Sequence, residues 1–454
     1  MENVTKEKVD DVLHAKWIIP VVPDNTVLEN HSLIIKNGKI HDILPTEEAR
    51  HRYEGERHHA IENHHVLIPG LVNMHCHAAM TLLRGFADDV SLEDWLSQYI
   101  WPAEGRWIGE EYIEDGTKLA VAEMLRCGVT CYNDMYFFPH VSARVTSDYG
   151  MRSAIGIPVI AFPSNWANDA DDYIEKGLRE LHDKYKDHPL VTVVMAPHST
   201  YTMHDAGLLK AKKIADELGM RIHIHLHETA REVSDHQQNN EGMRPIERLQ
   251  KLGLIDDKLI AAHMCHVTDD EIKLWAEKGA HVVHCPESNL KLASGICPVQ
   301  KFSKAGVNVS LGTDGAASND DLDLLGEMRT AALVDKLQAK DATAMPGWQM
   351  LKLATINGAK ALGLEHKIGS LEKGKEADVV AIKLRTEPVY NPITNLVYVG
   401  TNSVTDVWVA GKQLVKDEKM IGMNEDVLLR KAQQWGEKIK TSRPPANPAH
   451  EVSA

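Results

Sequence analysis

The 454-residue sequence has no run of about 18 apolar residues, and Met1 to Asp11 is charged where a secretion signal would need an apolar stretch. Neither membrane insertion nor export is expected. Cysteine is scarce: Cys76, Cys127, Cys131, Cys265, Cys285 and Cys297 form no CxxC pair and are too few for a disulfide scaffold. That pattern predicts a reducing, cytoplasmic setting. Basic residues fall short of acidic ones, 50 against 65, for a formal charge of −15. Without clustered Lys and Arg to displace counterions, nucleic acid is not an expected partner. Low-complexity tracts are also missing, so the 43% hydrophobic and 25% charged composition reads as globular.

What is there is a repeated pattern. Short strands at Trp17 to Val22, His31 to Lys36 and Lys39 to Leu44 open the chain, the last two joined by the turn signal Asn37-Gly38. A second β group is expected at Asp378 to Lys383, Leu396 to Val399 and Val404 to Val409. Between them, apolar strands alternate with helical stretches, as in βα units of a parallel sheet. Eight such strands lie near Val66 to Val72, Gly128 to Asn133, Arg152 to Ile160, Val191 to Ala196, Arg221 to Leu226, Leu259 to Ala262, His281 to His284 and Val307 to Leu311. The expected fold is α/β, a (β/α)8 TIM-type barrel with a small β-sandwich domain formed from both ends of the chain. Residues 1–65 and 368–418 would supply the sandwich, 66–367 the barrel, and 419–454 a C-terminal helix and loose tail breaking at Arg443-Pro444-Pro445.

A barrel builds its site from the C-terminal strand ends. Read in order, those ends carry His75 and His77, Asp134, His198, His225 with Glu228, His263, His284 and Asp314. His75-Cys76-His77 places two imidazoles on one strand face, a geometry that suits a metal. On the fifth strand His223, His225 and His227 alternate, and periodicity does not choose among them. Asp314 ends the last strand, where a carboxylate suits metal binding and proton acceptance. Three imidazoles and one carboxylate would leave a zinc coordination position open to water.

Five segments resemble the methylthioadenosine and S-adenosylhomocysteine deaminases of the amidohydrolase superfamily. They are Pro69-Gly70-Leu71-Val72-Asn73-Met74-His75-Cys76-His77, His225-Leu226-His227-Glu228, Ala261-Ala262-His263, Ser288-Asn289-Leu290-Lys291-Leu292 and Gly312-Thr313-Asp314-Gly315-Ala316-Ala317-Ser318-Asn319. The resemblance runs to about residue 415. It implies one divalent metal, Zn2+ being usual, held by His75, His77, His225 and Asp314, with Glu228 protonating the ring nitrogen and His263 polarising the attacking water. It places Glu104 against the ribose hydroxyls and His198 beside the substrate, and it leaves His223 and His227 as supporting residues. The implied partner is a purine nucleoside, and homo-oligomerisation is expected by analogy. The implied reaction is hydrolytic deamination of that nucleoside to an inosine analogue and ammonia.

Trp95 is a candidate aromatic wall. Arg152 is the one arginine suggested for the carboxylate of a larger substrate, with no second one in Ser164 to Asp172, so methylthioadenosine is favoured over S-adenosylhomocysteine. The fourth strand runs into Ala196-Pro197-His198 with no lysine to carry a carbamate bridge, which predicts a single metal. His58-His59 and His64-His65 are expected to be exposed loop residues. Two other readings use the same site: a guanine or cytosine deaminase, or a triazine aminohydrolase or chlorohydrolase. An inactive metal-binding scaffold is the non-enzymatic alternative.

Overall fold

The computed structural model describes residues 6–442, apart from the side chains at 58, 60, 62 and 63. Two eight-stranded sheets make up the frame. The first takes β1 (Glu7–Ile18), β2 (Leu28–Lys36), β3 (Lys39–Pro45) and β4 (Tyr53–Pro69) from the start of the chain. The second holds β5 (Leu71–Cys76), β6 (Val129–Asp134), β7 (Arg152–Val159), β8 (Val191–Pro197), β9 (Ile222–Leu226), β10 (Leu259–His263), β11 (His281–His284) and β12 (Asn308–Leu311), all parallel and in sequence order. Then β13 (Val379–Lys383), β14 (Ser403–Val409), β15 (Lys412–Lys416) and β16 (Lys419–Met420) complete the first sheet, β13 pairing antiparallel with β4.

Parallel strands covered by helices are buried on both faces, and β5, β6 and β7 contain no exposed position. The parallel sheet curls until its edges meet: the Asp314 N–H donates to the His75 carbonyl at 2.9 Å. The buried Asn73 side chain adds to the seam, donating to Thr313 Oγ1 at 2.8 Å and accepting from the Thr313 N–H at 3.0 Å. The eight-stranded barrel is therefore nearly closed, and β5 and β12 bring His75 and Asp314 together. Among the described residues, no helix is long and apolar enough to cross a membrane.

Four expectations need correction. The strand expected at Trp17 to Val22 instead spans Glu7–Ile18 as β1, and residues 19–22 lie outside it. The strand expected at Val66 to Val72 is two strands, because the chain turns at Gly70 from the small sheet into the barrel. A Cβ there would lie 1.9 Å from Thr130 Oγ1, so only glycine permits the close approach. Leu396 to Val399 is not a strand: helix Pro392–Tyr398 covers most of it, started by Asn391, whose side chain accepts from the Ile393 and Thr394 N–H groups, and by Pro392 in the first turn. His59 and His64 lie on the long strand β4 rather than in a loop. His59 is buried 2.8 Å from Asp11 Oδ1, while exposed His64 pairs with Glu387. The His58 side chain falls outside the described residues.

The C-terminal helix Glu425–Lys440 buries Leu428, Trp435 and Ile439, and the Trp435 indole donates to Asp115 at 2.9 Å. The tail from Arg443 lies outside the described residues.

Candidate metal centre and active-site cleft

Histidines from two strands and an aspartate from a third converge over the barrel mouth. His77 Nε2 lies 3.2 Å and His75 Nε2 3.3 Å from Asp314 Oδ1. His225 Nε2 is 3.3 Å from His77 Nε2. Carbonyl oxygens fix the tautomers, since a carbonyl only accepts. His77 Nδ1–H donates to Met135 at 2.6 Å, and His225 Nδ1–H donates to His198 at 2.8 Å. Both Nε2 lone pairs then face one another, an arrangement that calls for an electron-poor centre between them. Fully buried His75 Nε2 finds no hydrogen-bond partner among the described residues. These groups suit a divalent ion with nitrogen and oxygen ligands.

Asp314 is built for the charged state. Burial alone would raise its pKa, but the His75 and His77 imidazoles beside it hold the carboxyl well below the usual range. Its other oxygen accepts from Ser288 Oγ at 2.7 Å and Ser318 Oγ at 3.2 Å. Glu228 is the opposite case, because burial raises its pKa and favours the protonated form. Among the described residues its one side-chain hydrogen bond, from Ser294 Oγ, is long at 3.3 Å. His263 Nδ1–H donates to Asn289 Oδ1 at 2.8 Å, turning Nε2 toward Glu228 Oε2 at 3.8 Å.

One cleft collects His77, His198, His225, Glu228, His263 and Asp314 at its floor. The open space in the cleft and at its mouth, solvent included, is about 890 Å3. Apolar side chains wall it, among them Leu92, Trp95, Leu96 and Ile100 from one segment above the barrel. Trp95 is buried, and its indole N–H has no partner among the described residues. Glu104 also lines the cleft, accepting from the Tyr136 hydroxyl at 2.7 Å, and burial pushes its pKa up to about 7. Burial lowers His198 to about 3, so its imidazole stays neutral.

Arg152 does not take the place expected of it. It starts β7, at the end of the barrel away from the cleft, and its buried guanidinium pairs with Asp378 at 3.0 Å and Glu376 at 2.5 Å. Arg152 ties the barrel to the small sheet and does not face the cleft. His223 lies beneath His75, with Nε2 3.1 Å from His75 Nδ1. His227 turns aside: its Nδ1–H donates to the His266 carbonyl and its Nε2 accepts from the Ile246 N–H. Sequence reasoning missed Tyr136 and gave no separate roles to Ser288, Asn289 and Ser294. Ser288 and Asn289 were visible inside a quoted motif, whereas Tyr136 carried no signal.

The chain matches the amidohydrolase family over residues 66–414. It is 46% identical to a 5-methylthioadenosine/S-adenosylhomocysteine deaminase of Teredinibacter turnerae, over 98% of this chain and 100% of that one. A zinc-bound crystal structure of an adenosine deaminase from Xanthomonas campestris superposes with a TM-score of 0.93 at 46% identity, covering 96% of this chain and 100% of that one. The zinc-bound atrazine chlorohydrolase of Arthrobacter aurescens TC1 shares the fold, with a TM-score of 0.85 at 22% identity over 94% and 99% of the two chains.

Proposed function

The chain belongs to the amidohydrolase family, among its 5-methylthioadenosine/S-adenosylhomocysteine deaminases, and on that premise we propose that it hydrolyses the exocyclic amine of an adenosine-type nucleoside. The products are the inosine analogue and ammonia. The observation that carries this reading is the pair of Nε2 atoms on His77 and His225, 3.3 Å apart beside Asp314, with Glu228, whose pKa burial raises, in the same cleft. His75, His77, His225 and Asp314 would hold one divalent ion, with zinc the reading supported by the Xanthomonas relative. The ion supplies Lewis acidity that brings the pKa of the attacking water to about 7.

The chain's own residues do the rest. Asp314 is ionised and accepts a proton from the attacking water, while Ser288 and Ser318 keep its second oxygen in place. Glu228 donates its proton to the ring nitrogen next to the carbon under attack, so negative charge does not accumulate on the purine. Asn289 holds His263 with Nε2 facing the acid. Asp314 passes the proton it took from the water to the amine, which leaves as ammonia as the C–N bond breaks, and the remaining hydroxyl proton returns to Glu228 as the new C–O bond becomes the carbonyl. The apolar walls exclude bulk water, and the Glu104 carboxylate meets the ribose hydroxyls with Tyr136 fixing one oxygen.

Guanine, cytosine and triazines carry no ribose for Glu104, which favours a nucleoside over these alternatives. The test is ammonia release from methylthioadenosine, S-adenosylhomocysteine, adenosine, guanine, cytosine and a triazine on one preparation of known metal content. Turnover restricted to the last three would overturn the proposal. Two ions per chain would overturn the single-metal centre.

A further inference from the structure

We infer that Glu232 is a positioning residue whose carboxylate holds the backbone turn that aims Glu228 into the cleft. This inference rests on the reading of Glu228 as the proton donor. Strand β9 stops at Leu226, and His227 takes a left-handed φ of 53°, unusual for a residue with a side chain. A left-handed residue next in line turns successive N–H groups toward one side, making a concave anion site. Glu232 fills it: Oε1 accepts from the His227 N–H at 3.0 Å and Oε2 from the Glu228 N–H at 2.7 Å.

Helix capping does not account for this reach. Glu232 is the third residue of helix Ala230–Asn239, whose N-cap Thr229 accepts from the Glu232 N–H at 3.0 Å. In an ordinary capping box the third-residue carboxylate would return to the N–H of the cap itself. Here it bypasses Thr229 and binds the two residues before it. The rest of His227 is fixed independently, by its ring contacts and by its carbonyl, which accepts from the Cys265 and His266 N–H groups at 3.0 and 3.1 Å. Glu228 is different, since among the described residues its side chain is directed by a single 3.3 Å hydrogen bond from Ser294 and the His263 ring at 3.8 Å. Its aim is therefore set by the backbone that Glu232 grips.

The test compares kcat, KM, bound metal and melting temperature for wild type, Glu232→Ala, Glu232→Gln, Thr229→Ala, Glu228→Gln and the double variant Glu228→Gln/Glu232→Ala. A displaced catalytic group costs on the order of 10- to 100-fold in rate. Glu232→Ala should lose that much kcat with KM within about threefold and metal unchanged. Glu232→Gln keeps one acceptor and should fall between; it also serves if the alanine variant does not fold. Thr229→Ala weakens the helix cap but spares the turn, and should keep kcat within about twofold. On the Glu228→Gln background, Glu232→Ala should cost nothing further. Glu232 variants with near-normal kcat, a Thr229→Ala loss equal to theirs, or full additivity in the double variant would each overturn the inference. Near-normal turnover by Glu228→Gln would instead remove the proton donor itself, and the inference with it.

Discussion

Replacing Arg152 by alanine should destabilise the fold while leaving the chemistry intact. The Arg152 side chain is fully buried, donating to Asp378 Oδ2 at 3.0 Å and Oδ1 at 3.1 Å, to Glu376 at 2.5 Å and to the Pro189 carbonyl at 3.3 Å. Asp378 is itself buried and would keep one side-chain partner, the Ala410 N–H at 2.8 Å. Breaking a buried pair from one side costs about 3–5 kcal/mol, because the remaining charge is left without its counterion. At roughly 2.1 cal/mol/K per residue, a 454-residue chain has an unfolding entropy of about 1 kcal/mol/K, so the expected drop in melting temperature is about 3–5 °C. Arg152→Met with Asp378→Asn removes both charges while keeping an acceptor for Ala410, and should recover much of that loss. The cleft lies at the other end of the eight-residue strand, about 23 Å away at roughly 3.3 Å per residue. Accordingly kcat/KM at 25 °C should stay within about twofold for methylthioadenosine and S-adenosylhomocysteine alike. Thermal melts and steady-state ammonia release on the same preparations decide the matter. An unchanged melting temperature together with a KM rise confined to S-adenosylhomocysteine would refute the structural role and return Arg152 to the substrate site.

Other expectations concern the cleft itself. Glu228→Gln should keep its metal and lose about a hundredfold or more in kcat, whereas Asp314→Asn should lose metal as well, so elemental analysis beside turnover separates acid from ligand. Chelation should abolish activity and added zinc restore it; full activity in verified metal-free protein would remove the ion from the mechanism. Burial raises Glu104 to about 7, above its ordinary 4.5, so the folded state holds this proton more tightly than the unfolded state, and stability falls as pH rises between those values. Glu104→Gln should therefore raise the melting temperature relative to wild type at pH 8 but not below pH 4.5, while weakening ribosides; a pH-independent gain would contradict the buried acid. Beyond Glu104 the space continues between Trp101, Ile108, Phe137 and Phe162, with no Lys or Arg among its described lining residues. Methylthioadenosine should accordingly exceed S-adenosylhomocysteine in kcat/KM by about tenfold, since an unpaired carboxylate loses hydration there, and the reverse order would reveal a cation lent from elsewhere.

The barrel was legible because its strands are short, largely apolar stretches between helical ones, and burial on both faces favours that composition. The small sheet was only half legible. Strand β4 mixes His, Glu, Asn and Arg over its 17 residues and reads as a loop, yet its partner β1 supplies buried Asp11 to His59 and Arg57. Such a contact joins residues far apart in sequence, where no local pattern can announce it. Glu104 posed the same problem: its spacing resembles a surface acid, and only the enclosing segment and Tyr136 make it part of a cleft.

The three histidines of the fifth strand show where periodicity ends. Alternation correctly puts His223 and His225 on one face, but at different depths, His223 beneath His75 and His225 beside His77. It fails at His227, because the strand has already stopped and φ has turned positive. The same departure recurs at His263, with φ of 74°, and at Asp314, with φ of 65°. Left-handed residues that carry side chains are costly and persist where the surroundings hold them, often at functional sites. Here the holding contacts are identifiable: Glu232 for the N–H of His227, and the His75 carbonyl for the N–H of Asp314. Glycine at either position would have advertised a turn, but at Asp314 it would have removed a side chain that the site uses. The chemistry and the hidden turn thus have one cause, a strand end bent by tertiary contacts to bring a functional group over the barrel.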